Sequence, residues 1–375
     1  MPLTTATTQS PDHAPMPWRD ALPVWTLAMP PVGLVAVAIG LAKLGTIGIV
    51  AATLILIGCV LAAVHHAEVV AHRVGEPFGT LVLAVAVTVI EVSLIVSLML
   101  AESGDASALA RDTVFAAIMI ILNGIVGLCL LAGAARHREQ RFTQRGVSAA
   151  LCVLAAMAVL SLVLPNYTST TPGPTYSASQ LLFTAVVSLI LYGTFVLIQT
   201  VRHRDYFLPG GEGVAADVHA ALPSNRTAWA AFGVLAVALV VVVLLAKALS
   251  ATVERAVLDA GLPLAIVGVV IAALVLAPES LAAYRAAKRD RLQTSLNLAL
   301  GSALATIGLT IPTVAVVSLM LDLPLTLGID GKSVVLLALS LFVATLSLGT
   351  GRTTVLQGAV HLVIFAAYLF TTVIP

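Results

Sequence analysis

Charge is what this 375-residue sequence has least of: 10% of its residues are Asp, Glu, Lys or Arg, against 59% hydrophobic. Soluble domains carry about 25% charged residues, so a water-bathed surface of this size cannot be built from it. The high apolar content equally excludes a disordered chain. A net charge of +1 offers no basic footprint for phosphate, and no nucleic-acid partner is expected. Cysteine is nearly absent. Cys59, Cys129 and Cys152 all lie in apolar runs without metal or redox spacing, and read as small packing residues. The polar segment before about residue 17 lacks the basic start and cleavage site of a removable leader, so the first apolar run is expected to remain as a span. What is left is a succession of apolar runs, the composition of a polytopic membrane protein with the lipid bilayer as its surroundings.

A helix needs about 20 apolar residues to cross a bilayer, and open strands cannot cross because their backbone groups would go unpaired. Eleven runs qualify, centred on 22–42, 46–64, 77–101, 112–134, 146–165, 178–201, 227–247, 262–284, 293–320, 333–350 and 354–374. With the N-terminus inside, 14 of the 19 Lys and Arg residues fall on the cytoplasmic side. A wrong helix count would scramble that bias, so it supports eleven spans with N-in, C-out topology. The chain is therefore expected in the cell (inner) membrane, and the basic loops 135–146 and 285–291 are expected to hold topology.

The longest polar stretch between spans, Arg202 to Arg226, separates two blocks of five helices. Five is odd, so successive blocks point in opposite directions, the geometry of an inverted repeat. The expected all-α organisation is a tail over 1–21, an extra first helix over 22–45, a first five-helix repeat over 46–202, a linker over 203–226 and a second repeat over 227–375. Each half carries a lone acid in its second helix: Glu91, after Val87-Thr88-Val89-Ile90, and Glu279, after Pro278. The third helices carry small and polar residues, Asn123, Gly124 and Gly127 in one, Asn297, Gly301 and Ser302 in the other.

Of the 18 acidic residues, only Glu91 and Glu279 fall inside apolar runs. A charge at the bilayer centre costs about 2.5–3.5 kcal/mol on insertion scales, and neither acid has a basic residue in its own run. One such glutamate could be a protonated hydrogen-bond donor sealing two helices; a matched pair points to an ion site. Thr88 shares a helical face with Glu91. Ser295, Ser302, Thr306 and Thr310 make a polar stripe on the ninth span, readable as site lining or as polar glue between helices. Pro278 favours a local break that frees carbonyl oxygens. The set is one of hard oxygens, which suits calcium with its six to eight oxygen ligands. Two carboxylates can hold protons or a divalent cation but not both at once, and that exclusion with alternating access is exchange. No redox or nucleotide cofactor is expected.

At these residues the sequence resembles the calcium/proton exchangers (CAX-type) of the calcium/cation antiporter superfamily, most closely its bacterial ChaA-type members. The resemblance runs over about 22–375 and is strongest in two stretches. These are Gly75-Glu76-Pro77-Phe78-Gly79-Thr80 through Glu91, and Pro278-Glu279 with Asn297-Leu298-Ala299-Leu300-Gly301-Ser302. It implies eleven helices, a pseudo-twofold core and proton-driven calcium efflux, with sodium or potassium as alternative cations. It carries the ion-binding acids onto Glu91 and Glu279, and the small/polar repeat positions onto Asn123, Gly301 and Ser302. Thr88-Val89-Ile90 and Leu276-Ala277-Pro278 stand where the family often has a glycine-asparagine before the acid.

Other signals are weaker. His65, Glu68, His72 and Glu76 share a helical face, readable as a solvated helix end or a pH sensor. His361 stands alone in the last span as a packing residue. Gly349-Thr350-Gly351-Arg352 lacks the Gly-Lys-Ser/Thr ending of a phosphate loop. Loop 165–177, without charge, reads as an external connection. An intramembrane enzyme would need a nucleophile–base pair at depth, and His65-His66 with Glu68 is its only candidate. A cation channel could use the same two glutamates.

Overall fold

Residues 18–75, 78–100, 106–207 and 222–374 are described by a computed structural model of the chain. Eleven helical segments cross it: α1 (Val24–Ala38), α2 (Gly45–Val74), α3 (Phe78–Met99), α4 (Leu109–His137), α5 (Gln144–Tyr167), α6 (Ala178–Arg202), α7 (Asn225–Asp259), α8 (Ala265–Lys288), α9 (Leu292–Leu321), α10 (Gly331–Leu348) and α11 (Val355–Val373). Among the described residues nine are long and apolar enough to span alone. The other two contain the shorter apolar stretches Val24–Ala38 and Val82–Ser97. Together they form one extra helix and two inverted five-helix repeats, α2–α6 and α7–α11.

Hydropathy marks only the hydrocarbon part of a helix, and two helices outrun their apolar runs. The second continues from the expected 46–64 through His65, His66, Glu68 and His72 to Val74, and the seventh continues to Asp259. Each stops where the backbone turns left-handed at a glycine, Gly75 (φ 74°) and Gly261 (φ 67°), a conformation that costs glycine nothing.

The loops sort onto two faces. On the face where α6 ends and α7 begins, called here the linker face, strand β1 (Gln140–Arg141) pairs antiparallel with β2 (Arg352–Thr353). There the Gln140 amide donates to Ala287 O (3.0 Å) and to Asp290 (2.8 Å), and Arg352 lies 3.3 Å from Glu139. The turns α4–α5, α8–α9 and α10–α11 thus share one face, as alternating spans require. On the far face, Asn166 donates to Ile329 O (2.7 Å) and Arg111 to Gly328 O (3.0 Å). This places loop 165–177 with 322–330.

Burial places α4 and α9, the equivalent third helices of the two repeats, at the centre: 83% and 61% of their apolar windows are buried, against 50% or less for the other long helices. Two apolar cores surround them. One draws on α4, α5, α6, α8, α9, α10 and α11; the other on α1, α2, α3, α7 and α8. Helices α3 and α8 meet along the seam between these cores. Large apolar side chains such as Ile47, Phe183, Trp229, Phe342 and Val363 point outward, the surface that lipid would cover.

Close approach of α4 and α11 depends on glycine. A Cβ on Gly358 would sit 2.5 Å from Leu131 N and 2.9 Å from Gly127 O. Overfilling such a contact costs about 1–3 kcal/mol. Gly358→Val is therefore expected to lower the thermal unfolding midpoint of detergent-purified protein by several degrees. Gly193→Ala, with nothing within 4 Å of the added carbon, leaves the midpoint in place; equal midpoints would disprove the tight contact.

Candidate ion site

Both intramembrane glutamates sit on the helices that form the seam. Glu91 on α3 is 2% exposed, and its Oε2 accepts a hydrogen bond from Thr310 Oγ1 on α9 at 3.0 Å. Its second oxygen, Oε1, is buried without a hydrogen-bond partner among the described residues. Thr310 reaches it because α9 is not a plain α-helix: Thr306–Thr310 forms a single π-turn. The extra residue in that turn shifts the polar stripe relative to the rest of the helix, the usual use of such a bulge. A matching π-turn, Ile120–Ile125, interrupts α4. The two stand at the same depth: α4 and α9 run in opposite directions, and Asn123 and Thr306 each lie fourteen residues in from Leu109 and Leu292, midway along helices of 29 and 30 residues.

Glu279 on α8 follows Pro278, whose ring removes one backbone donor within the helix. Its Oε2 is also buried without a partner. Beside it lies a cavity of about 320 Å³, lined by α3, α6, α8 and α9. The exposed Arg204 and the buried Phe207 stand at its linker-face end. Tyr192, Phe195, Val196 and Leu83 supply apolar wall, while Thr88, Glu279, Ser302 and Thr306 supply oxygen.

The structure brings five of the seven expected site residues around this one cavity: Thr88, Glu279, Asn297, Gly301 and Ser302. Glu91 is the sixth and lies one helical turn beyond it. Thr88 and Thr306 line the wall, whereas Glu91 and Thr310, three and four residues further along, do not. Asn297 marks the cavity's outer end and is already bonded there, donating to Phe207 O and accepting from Gln293 at 2.9 Å. Asn123 is the seventh and stands apart. Its carboxamide bonds to Ser340 and His361 on α10 and α11, and to neither glutamate. Pairing Asn123 with Asn297 by sequence is therefore displaced from the pairing by depth, which sets Asn123 opposite Thr306. Thr306 and Thr310 were visible in the sequence as a stripe; only the π-turn shows which carboxylate they meet.

The remaining candidates resolve as contacts between helices. His65 Nε2 lies 3.0 Å from Ala21 O and His66 Nε2 3.4 Å from Thr26 O, tying the start of α1 to α2. Glu68 and His72 are exposed, and Glu76 lies outside the described residues. Cys59 and Cys129 are buried, and Cys152 is exposed.

Inverted five-helix halves with a carboxylate at the same station of each are the plan that secondary transporters use. Residues 44–201 and 230–374 match the sodium/calcium exchanger protein family, to which the chain belongs. The two matched segments fall on either side of the linker, one per repeat. The chain is 49% identical over 358 residues to the protein y4hA of Sinorhizobium fredii, covering 94% of this chain and 97% of that one. It is 38% identical over 312 residues to ChaA of Escherichia coli, a sodium-potassium/proton antiporter, covering 82% and 84%. The fold is shared with native YfkE, at a TM-score of 0.71 and 15% identity over 94% and 99% of the two chains. It is shared as well with the H+/Ca2+ exchanger CAX, at 0.71 and 16% over 94% and 89%. The protein is a multi-pass membrane cation exchanger.

A hydrogen bond to a charged group contributes about 1.5–3 kcal/mol, so Thr310→Val deprives Glu91 of its 3.0 Å donor at little change in volume. It is expected to raise roughly tenfold the cation concentration that half-protects the purified protein against heat, with Thr310→Ser close to wild type. Protection unchanged in Thr310→Val would remove Thr310 from the site.

Proposed function

We propose that the protein is a calcium/proton antiporter, exporting Ca2+ in exchange for H+ by alternating access at Glu91 and Glu279. The observation that carries this reading is the pair of carboxylates, each with a buried oxygen that none of the described residues satisfies, flanked by the neutral oxygens of Thr88, Ser302 and Thr306. Two negative charges match one divalent ion, and neutral oxygens fill out the six to eight positions that calcium takes. When the ion leaves, protons neutralise the carboxylates, because two bare charges at this depth are too costly to keep. Each protonation state then excludes the other cargo. Relatives support both ions: Aphanothece halophytica has a 26% identical Ca(2+)/H(+) antiporter. The 38% identical ChaA is a sodium-potassium/proton antiporter, and sodium or potassium in place of calcium is the second reading.

The cavity reaches Glu279 from the linker face and ends before Glu91 and Thr310, which fits a state open to one side. The bias of basic residues assigns the linker face to the cytoplasm, so the state drawn is inward-open, with the C-terminus outside. Orientation has its own test. Ser169→Cys, exposed on the far face, is expected to react with an impermeant maleimide on intact cells. Arg289→Cys, exposed on the linker face, reacts only after permeabilisation, and the reverse pattern would invert the topology.

Everted vesicles holding a preset proton gradient are expected to lose it when calcium is added, and to keep it when the protein carries Glu91→Gln or Glu279→Gln. Loss on sodium or potassium but not calcium would transfer the reading to the monovalent ions. Full exchange in either variant would remove that glutamate. Because protons and cation compete, acidifying the cation side raises the half-saturating cation concentration, by up to about tenfold per pH unit for each proton displaced.

A further inference from the structure

His361 is fully buried, and nothing in the exchange described above uses it. It lies at the centre of a polar chain that joins three helices. Ser347 Oγ is 2.8 Å from His361 Nε2, and His361 Nδ1 is 3.2 Å from Asn123 Oδ1. Asn123 Nδ2 donates to Ser340 Oγ at 2.8 Å, and Ser340 Oγ donates to Leu336 O at 2.7 Å. A hydroxyl has one proton to give and an imidazole nitrogen either gives or accepts. Because the Asn123 amide oxygen can only accept, Nδ1–H of neutral His361 donates to it, and Nε2 then accepts from Ser347, whose hydroxyl also reaches Ala344 O at 3.3 Å.

Asn123 sits in the π-turn of α4, and α8, the helix of Glu279, packs against that turn. The corresponding π-turn of α9 turns its Thr310 hydroxyl to Glu91. Two equivalent turns at equal depth are thus put to opposite use. One gives its polar group to the carboxylate, while the other has its polar group held away by α10 and α11. The approach of His361 to α4 is set by Gly127, where a Cβ would stand 2.9 Å from the His361 Cβ.

We propose that His361 is a positioning residue for cation exchange. It holds the Asn123 carboxamide toward α10 and α11, and so leaves the buried oxygen of Glu279 free for the transported cation. The inference rests on the exchange reading. Without His361, Asn123 loses one anchor and can turn its amide donors toward Glu279, competing with the cation there. The cost falls on cation affinity, and the turnover of the loaded protein is spared.

The experiment is cation-driven proton exchange in proteoliposomes, with the protein amount normalised and the cation titrated at fixed pH. His361→Leu is expected to raise the half-saturating cation concentration threefold or more, with the maximal rate within twofold of wild type. His361→Gln, which can donate to Asn123 and accept from Ser347, restores half-saturation to within twofold. In an Asn123→Ala background His361→Leu adds no further shift, because the two act as one unit. An unchanged half-saturation in His361→Leu, or a lower maximal rate alone, overturns the proposal, as does a full additional shift in the Asn123→Ala background. Should His361→Leu fail to insert, Ser347→Ala is read instead: a shift of twofold or more is expected, and none overturns the proposal. Absence of exchange in the wild-type protein would instead overturn the antiport reading, an outcome these variants do not share.

Discussion

A carboxylate deep in a hydrophobic bundle must find a donor or lose its charge, and Glu91 finds the Thr310 hydroxyl. That bond runs from α3, in one apolar core, to α9, in the other. The two halves of the chain therefore meet at a charged group which neither satisfies alone. The positions of α3, α8 and α9, and of the cavity between them, follow from bringing these groups together. A hydrophobic seam at this place would be tighter, but it would leave no vacant oxygen for a cation.

The central helices solve a second problem. A transported ion needs oxygen ligands, yet a spanning helix consumes its own carbonyls. Placing a π-turn at the same depth in α4 and α9 changes which side chains face the seam without breaking either helix. Threonine in one turn and asparagine in the other then serve different partners. The inverted repeat gives the two halves the same scaffold, and the local residues make them unequal, which fits a bundle open to one side at a time.

Much of this was readable from residues alone. Eleven apolar runs with a strong bias of arginine and lysine fix the number of helices, and five-helix blocks on either side of a polar linker give the inverted plan. The two lone acids stand out because charge is so rare around them. The depth pairing was not readable. Asn297 resembles Asn123 in its local sequence, but it lies five residues into α9 where Asn123 lies fourteen into α4, so by position the counterpart of Asn123 is Thr306. The partners of Asn123 were equally hidden, since Ser340 and His361 come from helices more than 200 residues away in sequence. Helix ends were missed for another reason: hydropathy falls where lipid ends, whereas α2 and α7 continue to their terminal glycines.

The short ladder between Gln140–Arg141 and Arg352–Thr353 does more than close a surface. It rivets the turn after α4 to the turn before α11, and Gln140 adds the end of α8 through Ala287 and Asp290. At the linker face these helix ends form one plate, and separating them would strip backbone pairs as well as side-chain contacts. Any opening and closing at that face must hinge around the plate. Of the helices that line the cavity, α8 belongs to this plate, whereas α3 and α6 contribute neither strand nor side chain to it.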